Sequence, residues 1–239
     1  GSQTTRVERS ARRPLTMITC PVRGSYTALL RLLWVTVMRL SGLNVDNGGE
    51  IAANQIDVLL HGALVNRGLI ESATTLDVDT ASLTNSGQMR ALGATGKTRY
   101  AIGGLLNNSG SLETANTELS LAAGTFQNRG GSVLHVGTGV LDLSGISLDD
   151  VGGSLVTHGD LTLDKDNWTN STAIQAGRLT VNVDNLHQTA SGKLLGTRSL
   201  VGNGRDWSVS GTVASQGTLD LSVGNVLNDH GLIFSAGDM

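Results

Sequence analysis

Leu64-Val65-Asn66-Arg67-Gly68-Leu69-Ile70-Glu71-Ser72, continued by Leu76-Asp77-Val78-Asp79, carries the pattern on which the rest of the chain is built. Apolar and polar residues alternate on both sides of an Asn-x-Gly turn, the period of a strand with one buried face. Nineteen residues on, the turn returns as Asn85-Ser86-Gly87. Aligned along the chain, the turn glycines or their substitutes are Gly48, Gly68, Gly87, Gly110, Gly130, Gly152, Thr172, Gly192, Gly211 and Gly231, at gaps of 20, 19, 23, 20, 22, 20, 20, 19 and 20. Two positions earlier stand Asp46, Asn66, Asn85, Asn108, Asn128, Asp150, Asn170 and Asp229; only Ala190 and Val209 break the rule. A fixed period of this size means that one supersecondary unit is stacked many times.

Each unit has an alternating stretch directly after the glycine, as in Ser111-Leu112-Glu113-Thr114. A second lies about nine residues on, as in Leu141-Asp142-Leu143 or Leu219-Asp220-Leu221, and a third short apolar patch precedes the next turn. Three short strands and three turns in about twenty residues close one coil of a parallel β-helix. Stacked coils place Leu on Leu and Val on Val, and ten of them make a rod about 45–50 Å long at the inter-strand spacing. At the corner, Asn is expected to tolerate a left-handed conformation and bond its own backbone, and Gly to accept positive φ. Stacked Asn side chains are also placed to form an amide ladder. Thr172, standing where Gly is expected, is the weakest corner.

Composition agrees with such an array. Leu, Val and Ile are regularly placed, charged residues make up 15% and aromatics 3%, which is wrong for a disordered chain. Pro occurs only at Pro14 and Pro21, leaving a long stretch free of residues that interrupt a sheet ladder. Residues 1–42 carry seven Arg and one acid, +6, so the rest of a chain of net charge −3 carries −9. An acidic rod repels phosphates, so no nucleic-acid partner is expected. The single Cys20 excludes an internal disulfide framework. No stretch is apolar for long enough to span a membrane by a helix, since residues 28–38 are short and interrupted by Arg31.

Residues 1–42 lack the turn and form a separate basic segment, with the repeat array over 43–239. Residues 26–40 fit an amphipathic helix, or Val35-Thr36-Val37-Met38 a first strand. An open β-helix end exposes pairing edges and bare core, so an N-terminal cap is the physical expectation. The competing reading is a tag or vector remnant, suggested by Gly1-Ser2 and Thr16-Met17-Ile18-Thr19.

The longer coils are where insertions put surface loops. The 23-residue gap contains Arg90, Lys97, Arg99 and Tyr100, a basic and aromatic group on an acidic rod, and residues 88–103 are the candidate binding loop; a plain bulge is the other reading. The 22-residue gap contains Asp149 and Asp150. Catalysis finds less support. Asp77, Asp142 and Asp220 lie several coils apart, too far for a glycosidase pair. Asp160, Asp164 and Asp166 with Lys165 and Trp168 are the best cluster, yet Asp is an ordinary turn and strand-end residue. His61, His135, His158, His187 and His230 fall at different phases of the repeat, so no metal pair forms, and no complete nucleotide-binding or nucleophile-elbow motif occurs. Trp168 and Trp207 suit buried corner packing better than sugar stacking. The expectation is no enzyme, no metal and no cofactor.

The runs Leu105-Leu106-Asn107-Asn108-Ser109-Gly110-Ser111-Leu112-Glu113-Thr114, Gln127-Asn128-Arg129-Gly130-Gly131-Ser132-Val133 and Leu227-Asn228-Asp229-His230-Gly231-Leu232-Ile233 resemble the filamentous haemagglutinin repeat of two-partner secretion exoproteins. These comprise adhesins, haemolysins and contact-dependent growth inhibition exoproteins of Gram-negative bacteria. The resemblance covers roughly residues 43–239. It implies an all-β, right-handed parallel β-helix of about ten coils, exported through an outer-membrane transporter and displayed on or released from the cell. Partners are then host or neighbouring-cell surface proteins or glycans. The family's secretion-domain motif and toxin module have no counterpart in this sequence. Two functions follow: a structural and adhesive segment of a surface filament or, alternatively, a polysaccharide-active β-helix lyase or hydrolase.

Overall fold

The computed structural model describes residues 18–22, 30–31 and 36–237. Among them every paired strand runs parallel to its neighbours, there is no helix, and the chain winds into a β-solenoid of about ten coils. One face is built from four-residue strands: Glu50–Ala53, Leu69–Ser72, Gln88–Ala91, Ser111–Thr114, Ser132–His135 and Ser154–Thr157. It continues through the starts of Ala173–Gln188 and Lys193–Val209 to Thr212–Ser215 and Leu232–Ser235. Its inward column is Ile51, Ile70, Met89, Leu112, Val133, Leu155, Ile174, Leu194, Val213 and Ile233, one residue per coil in direct register. All but the last are buried. A fully buried aliphatic side chain contributes about 1.5–3 kcal/mol, so each rung of this column adds to the core beside the larger set buried by the long strands.

The other side of most coils is one long bent strand rather than two separate ones; the first coil keeps two, Val37–Gly42 and Val45–Asn47. Gln55–Asn66, Leu76–Asn85, Lys97–Asn108 and Glu118–Gln127 stack in register, and the register shifts midway, between Leu60 and Ala63 and between Ile102 and Leu106. The shift turns the chain by a bulge. It merges the second and third strands expected from the sequence into a single bent element. From residue 173 the short and long strands merge too, giving 16- and 17-residue strands.

Strand pairing begins N-terminal to residue 43. Val37–Gly42 pairs with residues 55–60, burying Met38 and Leu40, and Ile18–Val22 pairs with 38–42. Of the two expectations for residues 26–40, the strand is found at 37–42; residues 23–29 and 32–35 lie outside the described residues.

The coils are not uniform. Leu141–Gly145 is the last strand of the lower long-strand sheet, and Leu161–Asn170 in the next coil pairs upward, Leu161 with Leu179 and Asn170 with Gln188. Between them the long face has a seam. Residues 146–153 form a loop that turns Ile146, Leu148 and Val151 into the core, and only the short-strand face runs through with strand pairing.

Candidate functional surface

The turn Asn side chains bond their own backbone two residues on, as expected, but without a left-handed conformation. Asn47, Asn66, Asn85, Asn108 and Asn128 are fully buried and form a ladder, each Nδ2 donating to the next Oδ1 at 2.8, 2.8, 2.8 and 2.7 Å. The same amides donate to carbonyls of the following coil, as Asn66 to Gln88 O at 3.1 Å. The expected amide ladder is therefore present, but inside the rod. None of these Asn residues adopts positive φ, and neither do Gly68, Gly87 and Gly110. Those glycines are required by close approach instead: a Cβ on Gly87 would lie 2.1 Å from Gly68 O, and one on Gly110 2.0 Å from Gly87 O. Within these turns positive φ occurs where an extra residue is held, at Gly130, Asp150, Gly152, Gly153 and His230; elsewhere it occurs at Gly42 and Gly96.

Register also moves the turn alignment. Backbone bonds from Leu69 to Gly49, Ser154 to Gly131 and Ala173 to Gly153 identify Gly49, Gly131 and Gly153 as the equivalent positions, not Gly48, Gly130 and Gly152. Asn47 replaces Asp46 accordingly, and Gln188, not Ala190, meets Asn170 at 2.9 Å. Thr172 fits its corner poorly, being buried with a hydroxyl that has no hydrogen-bond partner.

The four residues of the candidate loop are not brought together. Arg90 sits on the short-strand face, paired with Glu71. Lys97, Arg99 and Tyr100 belong to the long strand on another face. Arg99 bridges Asp77 at 2.8 Å and Asp79 at 3.1 Å, and its hydrogen bond to Asp77, then that to Asp79, raises its pKa. Tyr100 points inward, stacked on Val78 and Leu121, and burial raises its phenol pKa, with Glu113 adding to the effect. Most of the extra residues of this coil are in the turn at 92–96, with Leu92 exposed, and one is at the bend after Ile102.

A second polar column lies inside, at the end of the short strands. Thr98, Thr114 and Asn116 bond one another at 2.7–3.0 Å. Above them His135 is fully buried, Nδ1 at 3.0 Å from Thr157 Oγ1 and Nε2 at 3.0 and 3.2 Å from the carbonyls of Thr117 and Asn116. Two carbonyls at Nε2 require the proton there and leave Nδ1 to accept from Thr157. Burial lowers the His135 pKa, favouring the neutral ring. Both tryptophans of the repeat are packing residues: Trp168 Nε1 donates to Leu148 O at 3.1 Å and Trp207 Nε1 to Val183 O at 2.7 Å, each side chain buried.

The acidic cluster expected from sequence is divided, with Asp160, Asp149 and Asp150 engaged apart from Asp164 and Asp166. Asp160 pairs with Arg178 and Arg198, Asp149 accepts from Thr169 N, and Asp150 pairs with Arg129. Among the described residues no group of three His, Cys, Asp or Glu is arranged to hold a metal, and no helix is long and apolar enough to cross a membrane.

Asp164, Lys165 and Asp166 do meet in space with residues that sequence reading passed over. They line an open groove of about 600 Å³ at the bend of the long strands, together with Asn182, Asp184, Asn203, Gly204 and Arg205. Along one wall Asn182 Nδ2 donates to Asp164 at 2.6 Å and Asn203 Nδ2 to Asn182 at 2.7 Å. Just beyond the bend Asn185 donates to Asn167 at 2.9 Å, Arg205 to Asn185 at 3.2 Å and Asn225 to Asp206 at 2.8 Å. The signal that would have found this surface is the recurrence Asp164-x-x-Asn167, Asn182-x-x-Asn185, Asn203-x-x-Asp206 and Ser222-x-x-Asn225.

No family model matches the chain, and no solved structure matches it. A search of curated proteins finds Toxin CdiA of Escherichia coli, 28% identical over 201 residues, which are 83% of this chain and 6% of that protein. The likeness and the solenoid together fit a repeat of the contact-dependent inhibition and filamentous haemagglutinin type. The chain spans only a small part of the relative it matches.

Proposed function

We propose that this chain is a structural and adhesive segment of a secreted or cell-surface bacterial exoprotein, holding binding surfaces away from the cell that displays it. The observation that carries the reading is the short-strand face, one unbroken inward ladder from Ile51 to Ile233 that stiffens the rod end to end, found in a chain with sequence likeness to Toxin CdiA. Charges on the outside of the rod pair with neighbours one coil away, as Arg90 with Glu71 on the short-strand face, Arg67 with Asp46 at the turn and Arg99 with Asp77 on the long strands, which suits a filament more than a cleft that assembles around a reacting bond. On this reading the segment is not an enzyme. It reaches the outside through an outer-membrane transporter and meets a protein or glycan of a host or neighbouring cell.

Antibodies raised against the purified chain test this on intact cells of the producing bacterium. Labelling without permeabilisation is expected, as is attachment of chain-coated beads to target cells. Labelling only after permeabilisation would overturn the display reading, and reproducible cleavage of an acidic polysaccharide by the chain would overturn the non-enzymatic one.

A further inference from the structure

The groove at 164–205 has a chemistry that narrows its ligand. Asn is depleted in strands, yet Asn167, Asn182, Asn185, Asn203 and Asn225 all occupy strand positions, and none belongs to the buried core. Local preference broken where packing does not require it points to function. The amides are held at fixed angles by their ladder bonds, so Asn182 and Asn203 in the groove, and Asn167 and Asn185 just beyond the bend, present planar polar groups at the coil spacing of about 4.8 Å along the rod axis. Fixed groups lose little freedom on binding.

Elimination does the rest. Three carboxylates, Asp164, Asp166 and Asp184, face two cations, Lys165 and Arg205, which disfavours nucleic acids and acidic polysaccharides. The lining has no exposed apolar side chain for a lipid or hydrophobic peptide. The strands that carry Asn182, Asp184, Asn203 and Arg205 are paired on both sides, so an added peptide strand finds no edge between them; the open edge of Leu161–Asn170 faces the seam, on the side away from the strand that pairs with it. A chain rich in hydroxyl groups, each both donor and acceptor, matches what is left. We propose that this groove binds a linear neutral polysaccharide laid along the rod axis. The inference deepens the adhesive reading and rests on it, since a polymer outside the cell must be able to reach this face.

Calorimetric titration of the whole chain with neutral β-1,4- and α-1,4-linked glucan hexamers tests it, with a heparin fragment as the anionic probe. Saturable binding to a neutral hexamer is expected, weakened at least tenfold in the double variant Asn182→Ala/Asn203→Ala and unchanged in Glu71→Ala on the short-strand face. Arg205→Ala and Asp166→Ala, at exposed positions outside the Asn182–Asn203 bond, give the same comparison if the double variant does not fold. Absence of heat at about 10 mM hexamer, binding unchanged in every groove variant, or binding to the heparin fragment alone would each overturn it. Failure here with intact-cell labelling preserved removes the groove assignment only; loss of surface labelling removes the display reading and leaves the calorimetric result as measured.

Discussion

The coils below the seam, residues 37–145, and those above it, 154–235, reach the same cross-section by different means. Below, five buried Asn amides form a continuous ladder, and ion pairs such as Arg39–Asp57 and Arg99–Asp77 tie the outer face of the long strands. Above, the buried ladder shrinks to Asn170 and Gln188, Trp168 and Trp207 fill the corners, and the amide ladders move to the outside. What both share is the short-strand column of aliphatic residues. In a solenoid each coil contacts only its neighbours, so one continuous face is enough to join two regions whose other faces do not match. Continuity and surface chemistry are thus carried by different faces, and the long face can change without unstacking the rod.

The sharpest way to break this comparison is at the lower corner. Gly87→Ala drives a Cβ to 2.1 Å from a backbone carbonyl that cannot turn aside, whereas Gly130→Ala meets nothing within 4 Å and only strains a φ of +75°. Overpacking against fixed backbone costs about 3 kcal/mol or more, and a left-handed Ala about 1–2 kcal/mol. Denaturant midpoints of the two variants should differ accordingly; equal losses would mean that the turn glycines serve backbone conformation after all. Asn85→Ala comes next. It removes a donor from Asn108 and Ser111 and an acceptor from Asn66 in the buried ladder. Leaving buried groups unpaired costs about 1–3 kcal/mol. The equivalent change at Asn225, on the exterior ladder, is expected to alter stability by about 0.5 kcal/mol or less.

Thr172→Val probes the first ladder corner above the seam. The buried hydroxyl has no partner, so an isosteric apolar residue is expected to raise stability by about 1 kcal/mol, read as a higher melting temperature. A lower melting temperature would mean that the hydroxyl is bonded through water. Lower-coil His135 adds a pH dependence. Its folded pKa is depressed, so the unfolded chain binds the proton first. Stability is fully present above the unfolded value of about 6.5 and falls as pH drops below it toward the folded value. Measured from pH 8 down to 5, the stability of the wild type relative to His135→Gln should decline; a flat difference would show that the buried ring accepts its second proton without cost.

Much of this was legible from the chain because the period is carried by backbone geometry. Alternation around Asn66-Arg67-Gly68 gave the strands, the stacking and the amide ladder. The inward phase of Tyr100 is legible too, in step with Thr98 and Ile102, although an aromatic ring among basic residues is equally the composition of a surface loop. The reason for the glycines was not legible, since steric approach by a carbonyl one coil away leaves the same residue as a left-handed turn. The 22-residue gap marked the seam, yet which face breaks there depends on pairing partners about twenty residues distant. The groove was half visible: Asp164, Lys165 and Asp166 are neighbours in sequence, while Asn182 and Asn203 join them only through the coil register.

The smallest expected effect separates the two outer surfaces. Arg99 is about 40% exposed and its partners Asp77 and Asp79 nearly half exposed, so solvent screens the pairs. Arg99→Ala should then cost no more than about 1 kcal/mol, and less as salt is raised, because exposed ion pairs weaken within a Debye length of about 10 Å at 0.1 M. The amide ladders above the seam carry no charge on Asn182 or Asn203, and the stability change in Asn203→Ala should be nearly independent of salt. Melting temperatures of both variants between 0.02 and 1 M NaCl make the comparison. If the two respond alike, the division into an ionic lower face and an amide upper face is only compositional. If only Arg99→Ala converges on the wild type at high salt, the seam separates two surfaces held by different forces on one continuous core.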